Sequence, residues 1–99
     1  MKLFKKNYTL AGLMADIVEE KRQADVLNID LQKYLDQIQA QAELGYRETK
    51  LFFDNTPTGE VELKEVKKSL KRLGFKTYSK EFGYYSSWGG YANTFKVYW

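Results

Sequence analysis

Residues 75–99, FKTYSKEFGYYSSWGGYANTFKVYW, decide the fold of this chain. The two ends of this stretch, residues 75–80 and 94–99, alternate in polarity and are rich in the aromatic and β-branched residues typical of strands. Between them lies a loop, residues 82–93, composed almost entirely of Tyr, Ser, Gly and Trp. The pattern predicts a β-hairpin with a long aromatic tip, against which the rest of the chain packs.

Two helices are predicted upstream of this hairpin from the spacing of apolar residues. The first stripe consists of Leu10, Leu13, Met14, Ile17 and Val18, and the second of Leu31, Tyr34, Leu35, Ile38 and Ala42. One continuous helix over residues 9–44 also satisfies this spacing, but we favour a break near Asn28 because so long a helix is rare in a small domain. Thr9 would cap the first helix, Asn28 or Asp30 the second, and Gly45 would end it.

A β-α-β-β order is predicted for the second half of the chain. Residues 46–53 form a strand, and Thr56 followed by Pro57 has the pattern of a helix cap with a first-turn proline. The helix buries Leu63, Val66, Leu70 and Leu73 and ends at Gly74. This helix would connect two parallel strands, and the final pair would be antiparallel. We therefore expect one α+β domain over residues 1–99: a basic lead-in (1–8), a helical part (9–45) and β-α-β-β (46–99), with a three-stranded mixed sheet covered by helices on one face.

Alternation along the strands predicts which residues face the core. The core face would carry Thr49, Leu51, Phe53, Phe75, Thr77, Phe95, Val97 and Trp99. The opposite face would carry Tyr46, Glu48, Lys50, Phe52, Lys76, Tyr78, Lys80, Thr94, Lys96 and Tyr98. This second face is aromatic and basic together, so it is a candidate interaction surface.

The composition argues against most enzyme classes. The chain has no His and no Cys, so the commonest general base, the commonest metal ligand and thiolate chemistry are all missing. The only close acidic cluster, Asp16, Glu19 and Glu20, is expected to be a solvated helix face. We therefore predict no catalytic residues, no metal and no cofactor. No secretory signal or membrane span is expected, which favours the cytoplasm, and the net charge of +3 is mild for a protein that binds duplex DNA.

Residues 38–99 resemble small uncharacterised accessory proteins of tailed bacteriophages. The resemblance is carried by the segments IQAQAELG (38–45), VKKSLKRLGFKTYS (66–79) and TFKVYW (94–99), with a glycine-and-aromatic loop between the last two. It concerns the pattern of the fold and includes no catalytic motif. The resemblance implies a factor that binds, sequesters or inhibits a host component, as inhibitors of bacterial defence do, and it assigns no functional residue.

The aromatic loop is the leading candidate for partner binding. Its mixture of Tyr, Trp, Ser and Gly resembles that of antibody binding loops, which gain large contact area at small entropic cost. The predicted contact residues are Tyr84, Tyr85, Trp88 and Tyr91, with Tyr78, Lys80 and Lys96 beside them. The partner would be a host protein or a small nucleotide-like ligand. In the alternative, the same aromatics fold back to cap a small core.

Three further alternatives remain open at this point. Single-stranded nucleic acid would bind the Tyr/Lys sheet face, with bases stacked on rings and phosphates on lysines. Lys67, Lys71 and Arg72 are candidate phosphate contacts, although the acid-first, base-last order of their helix is explained by helix stabilisation alone. A structural, self-assembling protein would form a homo-oligomer through the N-terminal helical stripe.

Overall fold

The computed structural model describes the backbone of residues 10–99 and the side chains from residue 14 onward. This part of the chain forms α1 (Leu10–Val26), α2 (Leu31–Glu43), β1 (Glu48–Asp54), α3 (Pro57–Arg72), β2 (Lys76–Thr77), β3 (Glu81–Tyr85) and β4 (Gly90–Tyr98). The predicted α+β class is confirmed. The predicted lead-in over residues 1–8 and the Thr9 cap lie outside the described residues.

The predicted break between the first two helices is confirmed, and its cause is local. Asn28 adopts a left-handed conformation with φ of 63°. The Ile29 amide donates to the Ala24 carbonyl at 2.9 Å and the Asn28 amide donates to Asp25 at 3.0 Å, which together form a Schellman motif. Asp30 then caps α2, because its carboxylate accepts a hydrogen bond from the Lys33 amide.

The predicted ends of α2 and α3 are also confirmed. Gly45 and Gly74 follow these helices with φ of 91° and 100°, a conformation that costs glycine little because it has no Cβ. At the start of α3, the Thr56 hydroxyl accepts a hydrogen bond from the Gly59 amide at 3.0 Å, and Pro57 occupies the first turn. These signals lie within a few residues of the structure that they cause, so the sequence specifies them directly.

The sheet differs from the predicted three-stranded mixed sheet. It has four strands, and β4 lies at its centre with every pairing antiparallel. One edge of β4 pairs with β1, and the other pairs with β2 near its C-terminal end and with β3 near its N-terminal end. The strands β1 and β2 do run in the same direction, but they are not neighbours because the long C-terminal strand inserts between them. The parallel pairing predicted from the β-α-β order was therefore wrong.

The core lies between one face of this sheet and the helices α2 and α3. Leu51, Phe53, Phe75, Phe95 and Val97 are buried there, and Thr49, Thr77 and Trp99 are half-buried, which confirms the predicted core face. Leu63, Val66, Leu70 and Leu73 of α3 are buried as predicted. The rings of Tyr34, Phe53 and Phe95 stack in series with centroid distances of 5.1 and 5.6 Å, joining α2 to the sheet.

The first helix is rotated relative to the prediction. Met14 and Val18, two members of the predicted apolar stripe, are exposed, whereas Glu20 and Ala24 are buried. The rotation has a polar cause: the Arg72 Nε donates to both carboxylate oxygens of Glu20, at 2.9 and 3.0 Å. Arg72 is about half exposed and the Glu20 carboxylate is buried, and the pair fixes α1 against α3 because a buried carboxylate is stable only when it is paired.

Candidate binding surfaces

A short turn closes the hairpin between β3 and β4. The predicted loop over residues 82–93 is largely strand, and only Ser86, Ser87, Trp88 and Gly89 form the turn. The Tyr85 carbonyl accepts hydrogen bonds from the Trp88 and Gly89 amides at 3.1 and 3.0 Å, and Gly89 has φ of 87°. Strand pairing wins over a loose loop because Phe82, Tyr84 and Tyr85 favour extended backbone and β4 offers them a partner edge.

A one-residue bulge decides which way the hairpin aromatics point. Thr77 pairs with Val97 and Glu81 pairs with Thr94, so two residues, Ser79 and Lys80, stand opposite the single residue Phe95. Successive side chains of a strand alternate between faces, and one extra residue inverts that alternation. Phe82 and Tyr84 therefore lie on the side of the sheet that α2 and α3 cover, which we call the helix side, and Tyr85 lies on the other, the open face.

The first aromatic group, which we call the open-face cluster, consists of Phe52, Tyr85 and Trp88. Phe52 lies edge-on to Tyr85 at 5.0 Å and stacked with Trp88 at 5.9 Å. The Tyr85 hydroxyl is 3.3 Å from the hydroxyl of Thr94, which is fully buried, and the Lys50 ammonium is 4.8 Å from the centre of the Tyr85 ring. Tyr85 and Trp88 thus fold back over the open face of the sheet, whereas the core lies on its other face.

The second aromatic group, which we call the helix-side patch, consists of Phe82, Tyr84 and Tyr91. Phe82 and Tyr91 stack at 5.5 Å, and Tyr84 lies edge-on to Tyr91 at the same distance. These rings are 56%, 63% and 60% exposed, whereas Trp88 is 43% exposed and Phe52 and Tyr85 are half-buried. They project from the part of the hairpin nearest its turn, where large apolar side chains contact each other without being covered by another element of the described chain.

The predicted loop site is therefore divided between two faces. Tyr84 and Tyr91 belong to the helix-side patch, whereas Tyr85 and Trp88 belong to the open-face cluster. Phe82, which stacks on Tyr91 in the helix-side patch, was not among the predicted contact residues. The alternation of aromatic and small residues at Phe82, Gly83 and Tyr84 indicates a strand with both rings on one face. It was not used because residues 82–93 were predicted to form a loop.

The three residues predicted to lie beside the loop, Tyr78, Lys80 and Lys96, occupy different environments. Tyr78 stacks with Tyr98 at 4.7 Å on the open face, and Lys96 lies 3.7 Å from Glu48 on that face. Lys80 was predicted to lie there too, but the bulge turns it towards α3, where its ammonium is 2.8 Å from the Glu60 carboxylate. This hydrogen bond and the charge of Lys80 hold the pKa of Glu60 below its usual value.

The three candidate phosphate contacts on α3 point in two directions. Arg72 is bound to Glu20 and also lies 3.4 Å from the Gln23 side-chain oxygen. Lys67 reaches over the sheet, where its ammonium is 5.7 Å from the centre of the Phe95 ring, and Lys71 is exposed one turn further along. Burial and the charge of Lys71 lower the pKa of Lys67. A phosphate-binding role for these residues stays a prediction.

The described residues contain no group of three or more Asp or Glu side chains arranged to hold a metal ion. A small cavity of about 60 Å³ lies between the α1–α2 turn and α3, lined partly by Ala24, Ile29 and Val66. Ligand pockets usually enclose about 300–1,000 Å³, so this cavity does not fit a cofactor.

Within the described residues, none of the helices combines the length and apolarity needed to cross a membrane. Met14 and Val18 remain exposed on α1, and self-association through that helix stays a prediction. Comparison of this chain with protein-family models, with curated proteins and with solved structures finds no match.

Proposed function

We propose that this protein is a non-enzymatic binding protein whose contact surface is the helix-side patch. The observation that carries the proposal is the exposure of Phe82, Tyr84 and Tyr91, each more than half exposed and in contact with one another. An exposed cluster of apolar side chains is more often an interaction site than a surface that stays in contact with solvent. Tyrosine is also enriched among the few residues that dominate binding energy at interfaces.

A protein partner accounts for this surface better than a small nucleotide-like ligand does. The patch lies on one face of the β3–β4 hairpin, whereas small-ligand sites are concave and surround most of the ligand. A stable protein interface needs about 800 Å² from each side, and three aromatic side chains of about 150–250 Å² each supply much of its centre. The mechanism is occupancy: the partner surface is buried against the hairpin and is blocked from other contacts.

The absence of His and Cys from the sequence supports a role without catalysis. The more specific assignment, a bacteriophage accessory factor that inhibits or sequesters a host component in the cytoplasm, is supported by the sequence resemblance of residues 38–99 alone. This assignment indicates that the partner should be sought in a bacterial lysate, and it names no further site residue.

The test is capture from a bacterial lysate with three forms of the protein: wild type, Tyr84→Ser/Tyr91→Ser and Tyr46→Ser. Bound proteins and extracted small molecules are identified by mass spectrometry. Tyr46 is a matched control because it is 60% exposed and lies before the start of β1, at the end of the sheet remote from the hairpin turn. We expect a protein that wild type and Tyr46→Ser retain and that the double variant loses. Equal retention by all three folded forms would contradict the proposal.

Single-stranded nucleic acid on the open face is a second candidate, favoured by one observation. The ammonium groups of Lys50 and Lys76 lie 4.8 and 6.0 Å from the rings of Tyr85 and Tyr98, so positive charge and aromatic surface alternate there. Binding at this site would fall steeply with salt concentration and would be lost in Tyr78→Ala. Binding that is insensitive to salt, or that survives Tyr78→Ala, would exclude this candidate.

A further inference from the structure

The helix-side patch continues into a basic surface along α3. Phe82 pairs with Asn93, and Asn93 and Phe95 are neighbours on the same face of β4, about 7 Å apart. The Lys67 ammonium lies over the Phe95 ring, and Lys71 follows it by one helical turn. The aromatic patch and the two lysines therefore lie on the same side of the molecule, with the buried Asn93 and Phe95 beneath the surface between them, and we call this region the strip.

The two lysines of this strip have no carboxylate partner among the described residues. Three other basic residues on or near α3 do have one: Lys68 pairs with Glu65, Arg72 with Glu20 and Lys80 with Glu60, whereas Lys64 and Lys76, like Lys67 and Lys71, have no ion pair in the part of the chain that the structure describes. Burial, and to a smaller extent the adjacent positive charge of Lys71, lowers the pKa of Lys67. A carboxylate placed between these two lysines would remove that repulsion and restore favourable pairing for both.

We infer that the partner of this protein presents an acidic segment, with carboxylates meeting Lys67 and Lys71 and an apolar anchor meeting the helix-side patch. This inference rests on the proposed function and adds the chemistry of the partner. Nucleic acid suits the strip less well. Phe82 and Tyr91 already stack on each other at 5.5 Å, which leaves no gap for a base between them, and the guanidinium of Arg72, the arginine next to Lys71, is held by Glu20.

The test uses a random-peptide display library and an oligothymidylate as probes. Peptides are selected on wild-type protein and then measured against four folded variants: Lys67→Glu/Lys71→Glu, Lys68→Glu, Tyr84→Ser/Tyr91→Ser and Tyr46→Ser. Lys68 is the matched charge control, because it lies on the same helix but already pairs with Glu65. Selected peptides should be enriched in Asp and Glu around an apolar residue. Their affinity should fall by about tenfold or more in Lys67→Glu/Lys71→Glu and change little in Lys68→Glu.

The outcomes separate the two proposals. One outcome is that the selected peptides lose binding in Tyr84→Ser/Tyr91→Ser and yet show no enrichment in Asp and Glu, or bind Lys67→Glu/Lys71→Glu as well as wild type. Either result would overturn the acidic-partner inference and leave the proposed binding surface in place. Peptides that bind Tyr84→Ser/Tyr91→Ser as well as wild type would overturn both. Failure to select any peptide while oligothymidylate binds the Lys67 and Lys71 strip would replace the acidic protein segment by nucleic acid.

Discussion

Tyr84 and Tyr85 are adjacent and chemically identical, yet the bulge at Ser79 and Lys80 places them on opposite faces of the hairpin. Replacing each by alanine should therefore give two very different losses of stability. Tyr85 is half-buried against Phe52, whereas Tyr84 is 63% exposed. The two variants share residue type, strand and position along the chain, so a difference in stability between them reports burial and contacts alone.

The magnitude follows from the contacts of each ring. Tyr85→Ala removes an edge-to-face contact worth about 1 kcal/mol, a hydroxyl contact with Thr94 worth about 1 kcal/mol and a similar amount of apolar burial, or about 3 kcal/mol in total. Tyr84→Ala loses one exposed ring contact and some strand propensity, and should cost less than about 1 kcal/mol. Tyr85→Phe, which removes only the hydroxyl, should cost about 1 kcal/mol.

Urea denaturation followed by circular dichroism measures these free energies of unfolding. In a domain of this size, each 1 kcal/mol corresponds to roughly 4–8 °C in melting temperature, so thermal melts should separate the two alanine variants clearly. Equal losses for Tyr84→Ala and Tyr85→Ala, or a larger loss for Tyr84→Ala, would refute the assignment of these residues to opposite faces and with it the bulge.

Three further predictions concern local geometry and pH. Gly59→Ala should lower the free energy of unfolding by about 1–2 kcal/mol in urea titration, because a Cβ there would overlap the Asp54 carbonyl oxygen; Gly90→Ala, with open space around it, should be nearly neutral. Asn28→Val should cost about 1–2 kcal/mol and Asn28→Gly almost nothing, since φ is 63° at this position, and equal effects in denaturation would contradict the left-handed turn. Lys80 lowers the pKa of Glu60 from its ordinary 4.5, so the stabilisation from this pair is present above pH 4.5 and is lost as pH falls through the lowered pKa; an NMR titration should show that pKa return to normal in Lys80→Met.

Features set by neighbouring residues were predictable from the sequence. The helix ends at Asn28, Gly45 and Gly74 and the caps at Asp30 and Thr56 follow from turn and capping chemistry that acts over a few residues. The core face of the strands followed from alternation, because burial on one side of a sheet requires it. These predictions needed no knowledge of which strands pair.

Features that depend on distant pairing were not predictable in this way. The central position of β4 depends on its pairing with β1, which is distant in the chain, as well as with β2 and β3. The rotation of α1 depends on an ion pair between Glu20 and Arg72, which are 52 residues apart. The division of the aromatic loop depends on a single extra residue at the bulge, and no composition signal marks where such a residue is accommodated.

The most direct test of the helix-side patch compares the two faces of the sheet with one ligand. The affinity of the captured protein, or of a selected peptide, is measured by titration calorimetry for wild type, for Tyr84→Ser/Tyr91→Ser and for the open-face variant Tyr78→Ser/Tyr98→Ser, each shown to be folded. The patch predicts an affinity loss of at least about tenfold in the first variant and little change in the second. A loss confined to Tyr78→Ser/Tyr98→Ser would place the binding surface on the open face and contradict the proposed function.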